Sequence, residues 1–261
     1  MRILITNDDG IDAPGLEILS AIGEALAGQG GEVWTIAPAT EQSGVGHSVS
    51  FVRPFLINEI SARRFSVEGT PADCVLAGIH DVMAPSAPDL VLSGINRGNN
   101  AGENALYSGT VGAAMEASLH GITGIALSQF YGPGNRTLAN PFEAAEQFAA
   151  KTISTIIDRF PEAEGDYPPF FNVNFPPCGA ADVVGTRIVS QGFRHQGRFR
   201  TRKVDSITHR NFLWIQSGDQ SSYASPGTDV AANLDRYISL TPMRADLTAY
   251  DTMKKLQGQV P

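Results

Sequence analysis

Short unbroken apolar runs alternate with amphipathic stretches through the first two thirds of the chain. Residues 2–6 (RILIT) and 89–93 (DLVLS) are apolar at nearly every position, as strands covered on both faces must be. Residues 33–37, 124–128 and 170–175 have the same character. Between the first two runs in the chain, Leu16, Leu19, Ile22 and Leu26 recur at helical spacing behind Pro14, and the glycines at 28–31 stop that helix. Thr70 and Pro71 open another helix as N-cap and first-turn residue, with Asp73 well placed against the helix dipole. Residues 110–120 read as a helix rich in small side chains and 139–160 as a long one. Strand alternating with helix predicts an α/β fold with a mainly parallel sheet and helices on its faces.

After Pro176 the texture changes. Strand-like pieces such as 212–216 alternate with polar, glycine-bearing stretches, and a last helix is expected over 245–256. This tail either adds strands to the sheet or extends as an arm towards a partner subunit; the pattern alone is compatible with both.

Composition narrows the picture. A chain of 261 residues, 42% hydrophobic and 18% charged, can bury a large core. Its net charge of −8 argues against a general nucleic-acid binder, which needs a broadly basic face. There is no run of 18 apolar residues, so a membrane partner is not expected. The strand begins at Arg2 without a charged and apolar leader, and a cytoplasmic location is expected. Cys74 and Cys178 have no metal-type spacing and read as buried thiols.

The chemistry lies in the loops that follow the strands. The first strand ends on Asn7-Asp8-Asp9-Gly10, and adjacent carboxylates are kept together mainly when a cation neutralises them. The second leads into 38–48 (PATEQSGVGHS), with Ser43 and Gly44 at its centre. The third leads into Gly94-Ile95-Asn96, Arg97-Gly98-Asn99-Asn100 and then Ser108-Gly109-Thr110. In a parallel sheet these loops share one edge, where such folds bind ligands. Asp8 and Asp9 supply the charge for a hard divalent ion, and Ser43 and Asn96 supply neutral oxygens. Magnesium takes one or two carboxylates and keeps positions for a substrate phosphate. Ser108-Gly109-Thr110 precedes a helix, so its N–H groups and hydroxyls suit phosphate oxygens. Phosphoryl chemistry follows more naturally than hydride transfer, since no G-x-G-x-x-G comes after the first strand.

Each of these residues also has a plainer reading. Acidic pairs in loops are usually solvated turn residues, and a lone serine such as Ser43 is usually just a loop serine. Asn99 and Asn100 fit a turn as well as a site. His80 and His120 read as helix-surface or packing residues; His47 lies in the Ser43 loop, near enough to touch substrate but with no catalytic role assigned. No serine lies in a G-x-S-x-G turn, so a triad is unsupported. Seven basic residues (Arg187, Arg194, Arg198, Arg200, Arg202, Lys203, Arg210) stand against the single acid Asp205. They form either a solvated arm or a contact for nucleotide or a second subunit.

The runs ILITNDDGIDAPG, APATEQSG, GTPADCV, DLVLSGINRGNNAGENALYSGTVGAAMEA, FFNVNFP and SLTPMRADLT together resemble the SurE (stationary-phase survival protein) family of nucleotidases, in order and in register from Met1 to about Thr248. The resemblance implies a Rossmann-like catalytic core over 1–180 and a C-terminal part, 181–261, whose hairpin and helix are exchanged between subunits of a homodimer or homotetramer. It implies metal-dependent hydrolysis of nucleoside 5′- and 3′-monophosphates, with some activity on short polyphosphate. One Mg2+ or Mn2+ per subunit is implied on Asp8, Asp9, Ser43 and Asn96. Phosphate contacts are expected from Gly44, Asn96, Ser108, Gly109 and Thr110, and catalysis from Asp8 and Asp9, with Asp9 as proton acceptor or donor. The loop at 44–47 is richer in glycine than the family's usual pattern. Other classes remain open at this point. A phospho-acceptor domain would need a further carboxylate after a middle strand, and a haloacid-dehalogenase-type phosphatase would need D-x-D after the first. A nucleotide sensor could use the same cleft without turnover, and a covalent aspartyl-phosphate route is as compatible with the residues as attack by water.

Overall fold

The computed structural model describes residues 1–160, 165–204 and 210–258. The first strand, β1 (Arg2–Thr6), runs into α1 (Pro14–Ala27) and then β2 (Glu32–Pro38). Ile3 and Ile5 of β1 join one apolar cluster while Leu4, between them, joins another. That is the two-sided burial expected of a strand without polar alternation, and each such side chain contributes roughly 1.5–3 kcal/mol of transfer energy.

A short hairpin, β3 (Ile57–Ser61) and β4 (Arg64–Val67), comes next and was not visible in the sequence pattern. The helix α2 (Pro71–Ala77) starts as expected, on a capping box in which the Thr70 hydroxyl accepts from the Asp73 N–H and the Asp73 carboxylate accepts from the Thr70 N–H. Then follow β5 (Leu90–Arg97), α3 (Gly109–Leu119), β6 (Thr123–Gln129), α4 (Glu143–Arg159) and β7 (Phe170–Phe175). The helix α4 starts later than the pattern suggested because Pro141 disfavours helical geometry at Asn140, whose side chain instead caps Phe142 N–H at 3.0 Å.

Nine strands of the described residues form one sheet in the order β3-β4-β2-β1-β5-β6-β7, continued by β11 (Tyr237–Met243) and β8 (Gly185–Ile188). From β4 to β7 neighbouring strands are parallel; β3 runs antiparallel to β4 and β11 antiparallel to β7, while β8 pairs parallel with β11. The six parallel strands take the doubly wound order, in which succession reverses between β1 and β5. The crevice beyond their carboxyl ends is where such sheets bind ligands. Helices α1 and α4 cover one face with Leu16, Leu19, Ala145 and Ile153; α2 and α3 cover the other with Cys74, Val75, Ala113 and Ala117. Both thiols, Cys74 and Cys178, are buried and free.

The C-terminal third adds strands to the sheet, one of the two outcomes its pattern allowed. β8 and β11 extend the sheet, and α5 (Asp229–Leu234) packs beside β11. β9 (Arg200–Val204) and β10 (Phe212–Gln216) form a separate two-stranded ribbon, and the last helix, α6 (Tyr250–Leu256), is exposed along its length. The acid Asp205 lies outside the described residues. No helix among the described residues is long and apolar enough to cross a membrane.

Candidate active site

Asp8 leaves β1 at the reversal point and is almost fully buried. Thr110 meets it twice: its hydroxyl donates to Oδ1 at 2.6 Å and its N–H to Oδ2 at 3.1 Å. Burial pushes the Asp8 carboxyl up to about 6; the Thr110 bonds oppose the rise and the neighbouring Asp9 adds to it. The approach depends on Gly109, because a Cβ there would stand 3.0 Å from Asp8 Cβ and 2.9 Å from Pro71 Cγ. Asp9 is less buried, and its Oδ2 accepts the Arg97 N–H at 2.8 Å. Its carboxyl is also raised by burial, against the pull of the Arg97 N–H and guanidinium.

Asn96 precedes that Arg97. It sits just past an irregularity in the β5–β6 ladder between Ser93 and Asn96. Gly94 stands there with φ +139, and a Cβ on it would come within 2.2 Å of the Leu127 carbonyl oxygen. The Asn96 amide nitrogen donates to Gly98 O at 3.1 Å, which leaves its Oδ1 as the atom able to meet a cation. The loop after β2 is tied to the same place through Gln42 N–H, which donates to Asp8 O at 2.7 Å. Ser43 and Gly44 follow directly; both are exposed, and the Ser43 hydroxyl donates to Glu41 Oε1 at 2.7 Å. His47, further along, reaches Glu116 on α3 at 2.5 Å.

Three successive loops therefore converge as the strand order demands. Asp8 and Thr110 are in direct contact, Asp9 touches the residue after Asn96, and Ser43 stands one residue beyond the anchor at Gln42. The N–H and hydroxyl of Thr110, expected at phosphate, both donate to Asp8. Ser108 is the N-cap of α3, its hydroxyl accepting from Val111 N–H at 3.1 Å. The donor set, two carboxylates with a hydroxyl and an amide oxygen, fits a hard divalent cation. Among the described residues no three or more His, Cys, Asp or Glu side chains come together to hold a metal ion.

Some residues around this crevice went unread in the sequence. Tyr131, in the loop after β6, lies close enough to Asp9 and Arg97 for both charges to act on its hydroxyl, whose pKa burial raises. Extending the strand-end rule to the fourth loop would have found it. Arg194 is almost wholly buried; it bonds Glu103 at 3.1 Å, Ala101 O at 3.0 Å and Asn99 Oδ1 at 2.7 Å. The basic stretch is thus no single surface. Arg194 is internal, Arg187 lies 3.5 Å over the Tyr237 ring, and Arg200, Arg202 and Lys203 are exposed on β9. His80 and His120 pack edge to face at 5.0 Å, as packing residues.

The profile of the family described as "Survival protein SurE" matches residues 3–198. A Ruegeria pomeroyi protein named "5'-nucleotidase SurE" is 59% identical over 258 residues, 99% of each chain. One of the same name from Roseobacter denitrificans is 57% identical, again over 99% of each. The crystal structure of the SurE protein from Aquifex aeolicus superposes with a TM-score of 0.81 at 36% identity, covering 98% of both chains. With matching loops, matching topology and full-length identity of this size, the chain belongs to the SurE family.

Proposed function

We propose that this protein is a metal-dependent nucleotidase that hydrolyses nucleoside 5′- and 3′-monophosphates, and short polyphosphate, in the cytoplasm. Full-length relatives named "5'-nucleotidase SurE" support the nucleotide substrate. The observation that carries the reading is a pair of adjacent carboxylates, Asp8 buried and Asp9 partly so, at the reversal point of a doubly wound sheet. Asp8 and Asp9 are raised in pKa by burial, an arrangement that a bound cation relieves.

Asp8, Asp9, Ser43 and Asn96 would hold one Mg2+ or Mn2+ per subunit. When bound, the ion supplies Lewis-acid polarisation of the phosphoryl oxygens and a more acidic water. Thr110 holds Asp8 in place rather than meeting phosphate. Ser108 still has a proton to donate, since its oxygen is the acceptor of the cap, and Gly109 has the open N–H of a helix start. These two, with Gly44 on the facing loop, receive the phosphoryl oxygens whose charge must be met in the transition state. Asp9, at the cleft's edge, takes the proton from the attacking water or returns one to the leaving oxygen.

Assembly as a homodimer or homotetramer is part of the same reading. Phe212, Leu213, Trp214 and Ile215 are all at least half exposed on β10, a run of exposed apolar side chains that suits burial against a partner. Exchange of this ribbon and of α6 between subunits would cover it.

Phosphate release from nucleoside monophosphates tests the reading. The purified protein should turn over with Mg2+ or Mn2+ and stop on chelation, and Asp8→Asn should lose at least ~100-fold in kcat while remaining folded. Turnover that survives chelation, or an active Asp8→Asn variant, would refute it.

A further inference from the structure

The loop after β2 is fastened on both sides of Ser43 and Gly44. Upstream, Gln42 N–H donates to Asp8 O at 2.7 Å. Downstream, Gly46 N–H donates to Tyr107 O at 2.9 Å, just before the start of α3. Between these anchors lie Ser43, Gly44 and Val45, whose own N–H groups have no acceptor among the described residues. Gly44 turns there with φ +79, and a Cβ on it would meet nothing within 4 Å. A tip of this kind takes its position from its two ends.

The downstream end has the stronger hold. Gly46 and His47 lie so close to α3 that a Cβ on Gly112 would stand 2.6 Å from Gly46 O and 3.0 Å from His47 Cα. The His47 ring then reaches one turn further along α3 to Glu116, with Nε2 at 2.5 Å from Oε2. Burial works against the Glu116 carboxylate, yet the bonds and charges of His47 and His120 hold it below its ordinary value. An ionised carboxylate can only accept, so Nε2 of His47 carries the proton, in the neutral ring as in the charged one. His120 takes the other oxygen at 3.1 Å and keeps Glu116 from turning away. His47, Gly112 and Ser108 line one cavity of about 550 Å³, so this clasp borders a residue expected at phosphate.

We propose that His47 is a positioning residue: clasped to Glu116, it fixes the downstream end of the tip and so holds Ser43 and Gly44 beside Asp8 and the start of α3, where a cation and a phosphate would meet them. The proposal rests on the nucleotidase reading and adds to it a residue outside the four donors. His47 acts through the loop and ligates nothing itself. Removing its ring leaves Asp8, Asp9 and Asn96 in place and frees only the tip, so the loss falls on affinity for the ion.

The test titrates the metal-free protein with Mn2+ in a calorimeter. His47→Ala should bind the ion about tenfold more weakly than the wild type, the size of a lost outer partner of a metal ligand. Its kcat should return to near the wild-type value once Mn2+ is saturating. His47→Gln, whose amide can donate to Glu116 from the same place, should recover most of the affinity. In the metal-free proteins, amide hydrogen exchange over residues 42–46 should quicken in His47→Ala and stay slow in His47→Gln, a change that a general loss of stability would not confine to the loop. Equal Mn2+ affinity in the wild type and His47→Ala, or no rescue by His47→Gln, overturns the proposal and leaves the nucleotidase reading standing. A wild type that neither binds Mn2+ nor releases phosphate sinks that reading, and the proposal with it, before any variant is made.

Discussion

Glu116, midway along α3, is gripped from two sides. His47 approaches one oxygen at 2.5 Å and His120 the other at 3.1 Å, with the His80 ring packed against His120. Burial alone would raise this carboxyl, but the hydrogen bonds and charges of His47 and His120 outweigh it and hold the group below its ordinary 4.5. A carboxylate lowered in this way stabilises the fold above pH 4.5, and that contribution is lost as pH falls through its folded value. Glu116→Gln should therefore cost ~1–3 kcal/mol near neutrality, with the gap from wild type closing in acid; thermal melts across pH would show it. The pair also pins the Ser43 loop to the helix that carries Thr110. At this scale the acidic pair, Ser43 and Asn96 could be singled out because each lies at the carboxyl end of a parallel strand or in the loop that follows it. Thr110's service to Asp8 could not, because a contact spanning 102 positions leaves no local pattern.

Between elements, the largest buried polar feature joins the loop after β5 to the segment after β8. Arg194 N–H donates to Glu103 Oε2 at 2.8 Å while its guanidinium holds Glu103 Oε1, Ala101 O and Asn99 Oδ1. Beside it the Asp229 carboxylate accepts the N–H groups of Gly102 and Gly192 at 2.8 and 2.7 Å. This fastens the loop leading to Ser108 from behind. Arg194→Met strands the Glu103 charge and should destabilise by about 3–5 kcal/mol in denaturant unfolding, whereas adding Glu103→Leu should recover much of that loss. An uncoupled double variant would show that the pair is incidental. The elements that sequence revealed most clearly were those with an unbroken apolar run or a helical apolar period: β1, α1, β5, β6 and β7. Those it missed lack one. The strand β3 (INEIS) is nearly all exposed, and β11 contains Pro242, which argues against a strand by its composition. The last helix begins at Tyr250 rather than at 245 because Asp246 Oδ1 accepts the Thr248 N–H at 2.9 Å, a local turn that competes with helix.

Taken as a whole, the molecule gathers its candidate site where the parallel strands reverse and exposes apolar side chains on the β9–β10 ribbon. Trp214→Asp together with Ile215→Asp should dissolve the proposed assembly, with sedimentation giving a folded monomer; an oligomer of unchanged mass would remove the ribbon from the proposed interface. The mainly parallel sheet could be anticipated from alternation, but the two added strands, β8 and β11, could not, since their pairing joins distant segments of the chain. The central claim is that oxygen donors from three loops share one divalent ion. Titration of the metal-free protein with Mn2+, followed by calorimetry, tests it most directly. The account predicts one ion per chain in the wild type and no measurable binding in Asp8→Asn at the same protein concentration. Binding of equal strength in the two proteins, or none in the wild type, would contradict it.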